Sequence, residues 1–149
     1  MTVISLRYLK SSDPDLDTLA AELNAADWEA SVKDFSKADF ENFLASPDRF
    51  YLIAYVDGQV AGAVHGYKLL HPTGVKYMYI DEVDTMANMR RRGIARTMME
   101  SVLELAGEWG CDQAWLGTEH DNEAANSLYL GLKPFEIENG PIYSYKVGK

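Results

Sequence analysis

The sequence predicts a mixed α/β fold: a central mixed sheet flanked by helices on both sides, in the order β-α-α-β-β-β-α-β-α-β-β. Three observations carry this. Strand-like and helix-like periodicities alternate along 149 residues with no repeat, low-complexity tract or Pro/Gly/Ser-rich linker, which predicts one domain over residues 1–149. A β-branched and aromatic run at 50–56 meets a second at 59–70 through Asp57-Gly58, a strong two-residue hairpin signal. Residues 93–109 place Ile94, Met98, Val102, Leu105 and Trp109 on one helical face and Arg96, Glu100, Glu104 and Glu108 on the other.

The remaining elements follow in order. Residues 3–9 read as a first strand. Asp13-Pro14 then opens a helix through Leu16, Leu19, Ala20 and Leu23, with Asp13 as N-cap and Pro14 in the first helical position. A second helix starts at Ser36, turns Phe40, Phe43 and Leu44 inward and ends before Pro47. Gly62 and Gly66 interrupt the strand 59–70, where glycine weakens pairing unless a bulge or a close neighbour requires it. A central strand spans 76–86, a short strand 111–118, a helix 122–130, and two closing strands 135–138 and 142–147.

Composition excludes several classes. At 47% hydrophobic and 25% charged the chain has the make-up of a globular protein with a core, and no apolar run is long enough to cross a membrane as a helix. The start lacks the pattern of a secretory signal, and the single cysteine, Cys111, allows no internal disulfide; a cytoplasmic protein is expected, with a homodimer left open. The net charge of −9 disfavours phosphate backbones, so nucleic acid is not an expected partner, whereas a small cationic amine is. No metal is expected: His65, His71 and His120 are scattered, and Glu119-His120-Asp121 is only a weak ligand cluster. No Gly-x-Ser-x-Gly elbow, P-loop or Gly-x-Gly-x-x-Gly occurs.

Against this acidic background, Arg90, Arg91, Arg92 and Arg96 crowd into seven residues where a strand gives way to a helix. Helix N-termini present unpaired amides and a partial positive charge, Gly93 and Ala95 allow close approach, and arginines add charge-assisted hydrogen bonds. The segment Arg90–Arg96 with Ile94 inside it is therefore a candidate anion site.

Arg90-x-x-Gly93-x-Ala95 resembles the phosphate-binding signature of the GCN5-related N-acetyltransferase (GNAT) superfamily, and Asn122-x-x-Ala125-x-x-x-Tyr129 resembles its later helix motif. The order of elements is similar over essentially the whole chain. The middle, from Ile53-Ala54-Tyr55 through residues 77–83 to Arg91-Arg92-Gly93-Ile94-Ala95, looks most like the small aminoglycoside 3-N-acetyltransferases. The resemblance implies acetyl-CoA as co-substrate, with the backbone amides of Arg91 to Arg96 on its pyrophosphate and the main chain of Val83, Asp84 and Thr85 along its pantetheine arm. Asn122 joins the cofactor-binding set through its motif. One departure stands out: Lys133 and Pro134 occupy the places where the family carries a glycine and an aromatic residue after the tyrosine.

Acetyl transfer to an amine needs a proton acceptor, a polarised thioester carbonyl and a stabilised leaving thiolate. The strand 79–85 holds Asp81, Glu82 and Asp84 within four residues, and strict alternation puts Asp81, Val83 and Thr85 on one face and Glu82 with Asp84 on the other. Such carboxylates also suit simple pairing with the nearby arginines. The resemblance gives the general-base role to Asp81 by position, with Glu82 its immediate rival and Asp84 still open. It makes Tyr129 the candidate acid for the thiolate, its phenol having an ordinary pKa of about 10; a tyrosine packed in the core fits the same spacing. Glu119 and Asp121, with Asp84, Asp27 and Glu29, are candidates for an acidic pocket holding ammonium groups. The implied activity is direct N-acetylation, first of an aminoglycoside (a resistance function), otherwise of a polyamine, metabolite or protein amine. A non-catalytic acyl-CoA-binding domain is the reading from a different class.

Overall fold

In a computed structural model that describes residues 2–28 and 34–148, Asp57 and Gly58 both take left-handed backbone angles (φ 51° and 75°) and close a tight hairpin between β2 (Arg49–Val56) and β3 (Gln59–Leu70). The chain forms two compact units, one through Gly117 and one from Thr118.

The first unit is built on a five-stranded sheet in the order β1-β2-β3-β4-β5, with β1 Ile4–Tyr8, β4 Lys76–Thr85 and β5 Gln113–Trp115. The first four strands pair antiparallel; β5 joins β4 in parallel, as the mixed architecture requires. The helices α1 (Leu16–Ala25) and α2 (Lys37–Leu44) cover one face. There Leu16, Leu19, Ala20, Leu23 and Phe40 pack against Tyr51, Ile53 and Ala63. The helix α3 (Ile94–Glu108) packs across all five strands, burying Ile94, Met98, Met99, Val102 and Ala106. Its inner face is thus one residue column wider than the expected stripe, because Met99 and Ala106 share it.

Both strand glycines are explained by close neighbours. A Cβ on Gly62 would lie 2.8 Å from the Asp84 carbonyl oxygen and 2.8 Å from Met98 Cε. A Cβ on Gly66 would strike the Tyr79 carbonyl oxygen and stand 2.8 Å from Phe50 Cε1. At both positions the absence of a side chain lets β3 approach β4, and it makes room for α3 at Gly62 and for the Phe50 ring at Gly66.

Two boundaries in this unit differ from the sequence reading. The first helix starts at Leu16 with Asp15 before it, not at Asp13. The Asp13 carboxylate instead accepts the Lys10 amide (2.8 Å), while Arg7 forks onto Asp15 at 2.9 and 2.8 Å, so local polar pairs hold residues 10–15 as a turn. The strand expected at 111–118 is only Gln113–Trp115, because β4 offers it just Tyr77, Met78 and Tyr79 as partners.

In the second unit, α4 (Glu123–Gly131) is capped by Asn122, whose side chain accepts the Ala125 amide at 3.1 Å. Lys133, standing where the resembling family has glycine, takes a left-handed φ of 59° just past the helix end. The closing strands expected at 135–138 and 142–147 do not form among the described residues. A strand exists only through its ladder, and this unit has no strand to pair with them. Their apolar residues stay open to solvent, from Ile137 at 63% to Val147 at 94% exposure.

Candidate active site

The face of the sheet beneath α1 and α2 opens into a cleft of about 590 Å³. Its floor comes from Tyr51, Ala63, His65 and Tyr67 on β2 and β3; α2 supplies Asp39, Phe40 and Phe43; the chain before it gives Asp34, Phe35 and Ser36; Trp28 closes one side. Glu82 and Asp84 of β4 complete the lining. Ser36 fixes the start of α2 by accepting the Asp39 amide (3.1 Å) and donating its hydroxyl to the Asp39 carboxylate (2.8 Å).

A β-bulge orders the acids. His65 pairs with Glu82 but Gly66 pairs with Ile80, so Asp81 is the extra residue on β4. Up to that point Met78 and Ile80 are buried toward α3, and Tyr79 stacks on Tyr67 (6.4 Å between centroids) on the cleft side. Beyond it Glu82 and Asp84 face the cleft. The alternation expected from sequence, with Asp81 opposite Glu82 and Asp84, is therefore broken: the bulge turns all three acids to one side. Asp81 lies 3.2 Å from His65 Nε2 and accepts the Tyr79 hydroxyl at 3.3 Å. The potential ligand atoms of His65, Asp81 and Glu82 lie within 4.8 Å of one another, the grouping of this kind among the described residues; Glu119, His120 and Asp121 do not form one.

The three acids are not equivalent. Burial, followed by the like charge and hydrogen bond of Glu82, pushes the Asp84 carboxyl up to about 6, against a small opposing pull from His65. Burial also raises the Tyr51 phenol, with the Asp84 and Glu82 charges adding to it. Half-buried Asp84 thus carries the raised carboxyl beside the exposed Glu82, while Asp81 is engaged by two donors. The raised value has a stability consequence. Folding disfavours the ionised form of Asp84, a cost absent below about pH 4, where folded and unfolded chains both hold the proton, and complete above about pH 6. Partial exposure and screening reduce it to about 1 kcal/mol. Asp84→Asn should therefore raise the melting temperature at pH 8 and leave it unchanged at pH 3.5, which thermal melts at the two pH values will read.

The arginine turn also has a definite backbone. After the 3-10 turn Ala87–Met89, Arg91 and Gly93 are both left-handed (φ 60° and 76°), and α3 begins at Ile94 with Gly93 as its cap. Left-handed residues alternating around Arg92 turn successive amides toward a common side, a concavity suited to an anion. Open space surrounds Gly93, so glycine is required there by its backbone angle and not by crowding. The Thr97 amide and hydroxyl close the first turn onto the Gly93 carbonyl (3.0 and 2.9 Å). The Arg96 guanidinium is taken up by Glu100 at 2.8 Å, and Arg90, Arg91 and Arg92 are exposed at the turn itself. β5 pairing ends before the bulge, at Tyr79–Trp115, leaving the β5-side edge of Val83, Asp84 and Thr85 outside that pairing.

Of the other expected residues, Asp27 is exposed just past α1, its carbonyl accepting the Ala87 amide at 3.4 Å, and it does not line the cleft. Glu29 lies outside the described residues. Glu119 and Asp121 are exposed before α4, where the Glu119 carbonyl accepts the Asn122 amide (3.1 Å), and Tyr129 is half-buried on that helix. Burial raises the Cys111 thiol above its ordinary value, which suits a packing role better than a nucleophile. Sequence reasoning missed His65, Tyr51, Tyr67 and Asp39. The signal available was period-2 spacing of His65 and Tyr67 on a strand facing the acids.

The acetyltransferase (GNAT) family profile matches residues 19–132, and the chain belongs to this family. An uncharacterised N-acetyltransferase of Mycobacterium bovis is 29% identical over 94 residues; the match takes in 63% of this chain and 58% of that relative's length. Among solved structures, an aminoglycoside acetyltransferase from an uncultured soil metagenomic sample, in complex with sisomicin, superposes with a TM-score of 0.78 at 16% identity, covering 97% of each chain. The aminoglycoside N-acetyltransferase AAC(6')-Iy in complex with CoA gives 0.75 at 17% identity, covering 99% of this chain and 97% of the other. At these identities the structural likeness establishes the GNAT acyltransferase fold. No helix among the described residues is long and apolar enough to cross a membrane.

Proposed function

We propose that the chain is an acetyl-CoA-dependent N-acetyltransferase whose acceptor amine enters the cleft over β2, β3 and β4. The observation that carries the reading is the carboxyl pair of exposed Glu82 and half-buried Asp84, set on β4 by the bulge, on the strand that leads into the arginine turn. The ammonium group of the acceptor gives a proton to this pair, with Asp84 the acceptor of choice among the three acids. Asp81 acts through His65 and Tyr79 as a positioning residue. The neutral amine attacks the thioester carbonyl, the carbon–sulfur bond breaks, and the departing thiolate takes a proton from Tyr129, whose phenolate is reprotonated by the proton the nitrogen loses as the amide forms; no covalent enzyme intermediate is needed. The Tyr129 role rests on its motif alone, and Tyr129→Phe should lower kcat without weakening acetyl-CoA binding.

The amides of Arg91 to Arg96 hold the pyrophosphate, and the main chain of Val83 to Thr85 runs along the pantetheine arm. Two helix-terminal arginines add salt-sensitive affinity, so replacing Arg91 and Arg92 by Ala should weaken acetyl-CoA binding about tenfold at low salt and less at high salt, as calorimetry would report. Among acceptors, aminoglycosides come first: the chain is strongly acidic, the cleft carries carboxylates, and proteins sharing the fold include aminoglycoside acetyltransferases. The 3-amino group is the position we propose. Residues 1–149 are read as one functional domain, since the family match runs through the boundary at Gly117.

Release of free thiol from acetyl-CoA in the presence of an aminoglycoside and amine panel tests the reading. Amine-dependent release supports it. Binding of acetyl-CoA with no release across the panel points instead to an acyl-CoA sensor.

A further inference from the structure

We infer that the acceptor is a primary amine carried on a ring, and that Phe43 and Tyr67 select for it; this rests on the acetyltransferase reading of the same cleft. The lining is divided in kind. Carboxylates stand at both sides, Glu82 and Asp84 on β4 and Asp34 and Asp39 on the α2 side, and between them Phe43 and the floor present aromatic rings. Phe43 and Tyr67 are half-buried and meet edge to face at 5.7 Å and 74°, so each keeps ring surface toward the cleft while its neighbour holds it in place. Behind them, Tyr51 stacks on His65 (5.8 Å, 7°) and meets Phe40 edge-on (5.1 Å, 80°), a floor that cannot tilt without disturbing the core beneath.

A carboxyl pair beside rigid ring faces recognises a particular shape. The ammonium group satisfies the acids, and the body a few bonds away must present a flat or faceted apolar surface to lie against the rings. An aromatic ring offers a face, and an amino sugar offers the C–H side of its ring. An acyclic polyamine offers neither, and Arg49 already occupies a face of Phe43 at 5.6 Å. The Phe43–Tyr67 pair therefore discriminates between amines of similar basicity by their bodies.

The experiment compares 2-phenylethylamine, glucosamine and 1,4-diaminobutane, by calorimetric binding to the full chain and by thiol release with acetyl-CoA. At least one ring amine should bind and turn over with a dissociation constant and KM about tenfold below those of 1,4-diaminobutane; which one identifies the aromatic or the sugar source. Phe43→Leu and Tyr67→Leu keep apolar volume but remove the ring, and each should shrink that ratio about fivefold, chiefly through KM and not kcat. Equal or better use of 1,4-diaminobutane, or a ratio unmoved in both variants, would overturn the inference. Binding that shows the ring preference without any thiol release would leave this selectivity standing while sinking the acetyltransferase reading.

Discussion

Asp84→Asn is expected to lower kcat for amine acetylation by about 10²- to 10³-fold while leaving acetyl-CoA affinity within about twofold of the parent. A positioned general base contributes on this scale, and an amide of the same shape cannot take the proton. The raised carboxyl gives the pH dependence. With Asp84 pushed up to about 6, the competent ionised form is lost as pH falls through that value, so kcat/KM of the parent should drop about tenfold per unit below it. In Asp84→Asn this limb should vanish. Asp81→Asn serves as the contrast: its carboxylate is already met by His65 and the Tyr79 hydroxyl, so the loss should be smaller and the limb near pH 6 should persist. Steady-state rates between pH 5 and 8 decide the matter, and a larger loss for Asp81→Asn would move the base to that residue.

Gly66→Ala is expected to cost about 3 kcal/mol of folding stability, near the upper end for overpacking. The added methyl would meet the Tyr79 carbonyl oxygen, a backbone atom with no rotamer to yield, and Phe50 from the other side. Relief requires β3 and β4 to part immediately beside the bulge at Asp81, so the variant should also lose activity beyond its loss of folded protein. Urea unfolding measures the first effect, and turnover per folded molecule measures the second. A change below about 0.5 kcal/mol would mean that β3 and β4 are not as close as described.

Much of the fold could be read directly because its signals are local. Asp57-Gly58 specifies its own turn geometry, Ser36 its own helix start, and the apolar stripe of residues 94–109 its own face. The misreadings arose where pairing decides. Residues 135–147 carry a strand's alternation, yet strand formation depends on a partner that the sequence pattern does not name. The bulge at Asp81 is likewise a relation between two strands: neither residues 59–70 nor 76–85 alone reveal that His65 faces Glu82 while Gly66 faces Ile80. That single offset changed the chemistry, since it brought Asp81 to the side of Glu82 and Asp84 and brought His65 into contact with it. The turn at residues 90–96 was visible because small residues and arginines at a helix start carry the signal themselves. The left-handed angle at Arg91 was not, since no glycine marks it.

The most direct test is a crystal structure of the full chain with coenzyme A and an acceptor amine. The diphosphate is expected on the amides of residues 91–96, with the acceptor nitrogen within hydrogen-bonding reach of Asp84 or Glu82. A diphosphate seated elsewhere, or an amine whose nitrogen points away from both acids, would contradict the account.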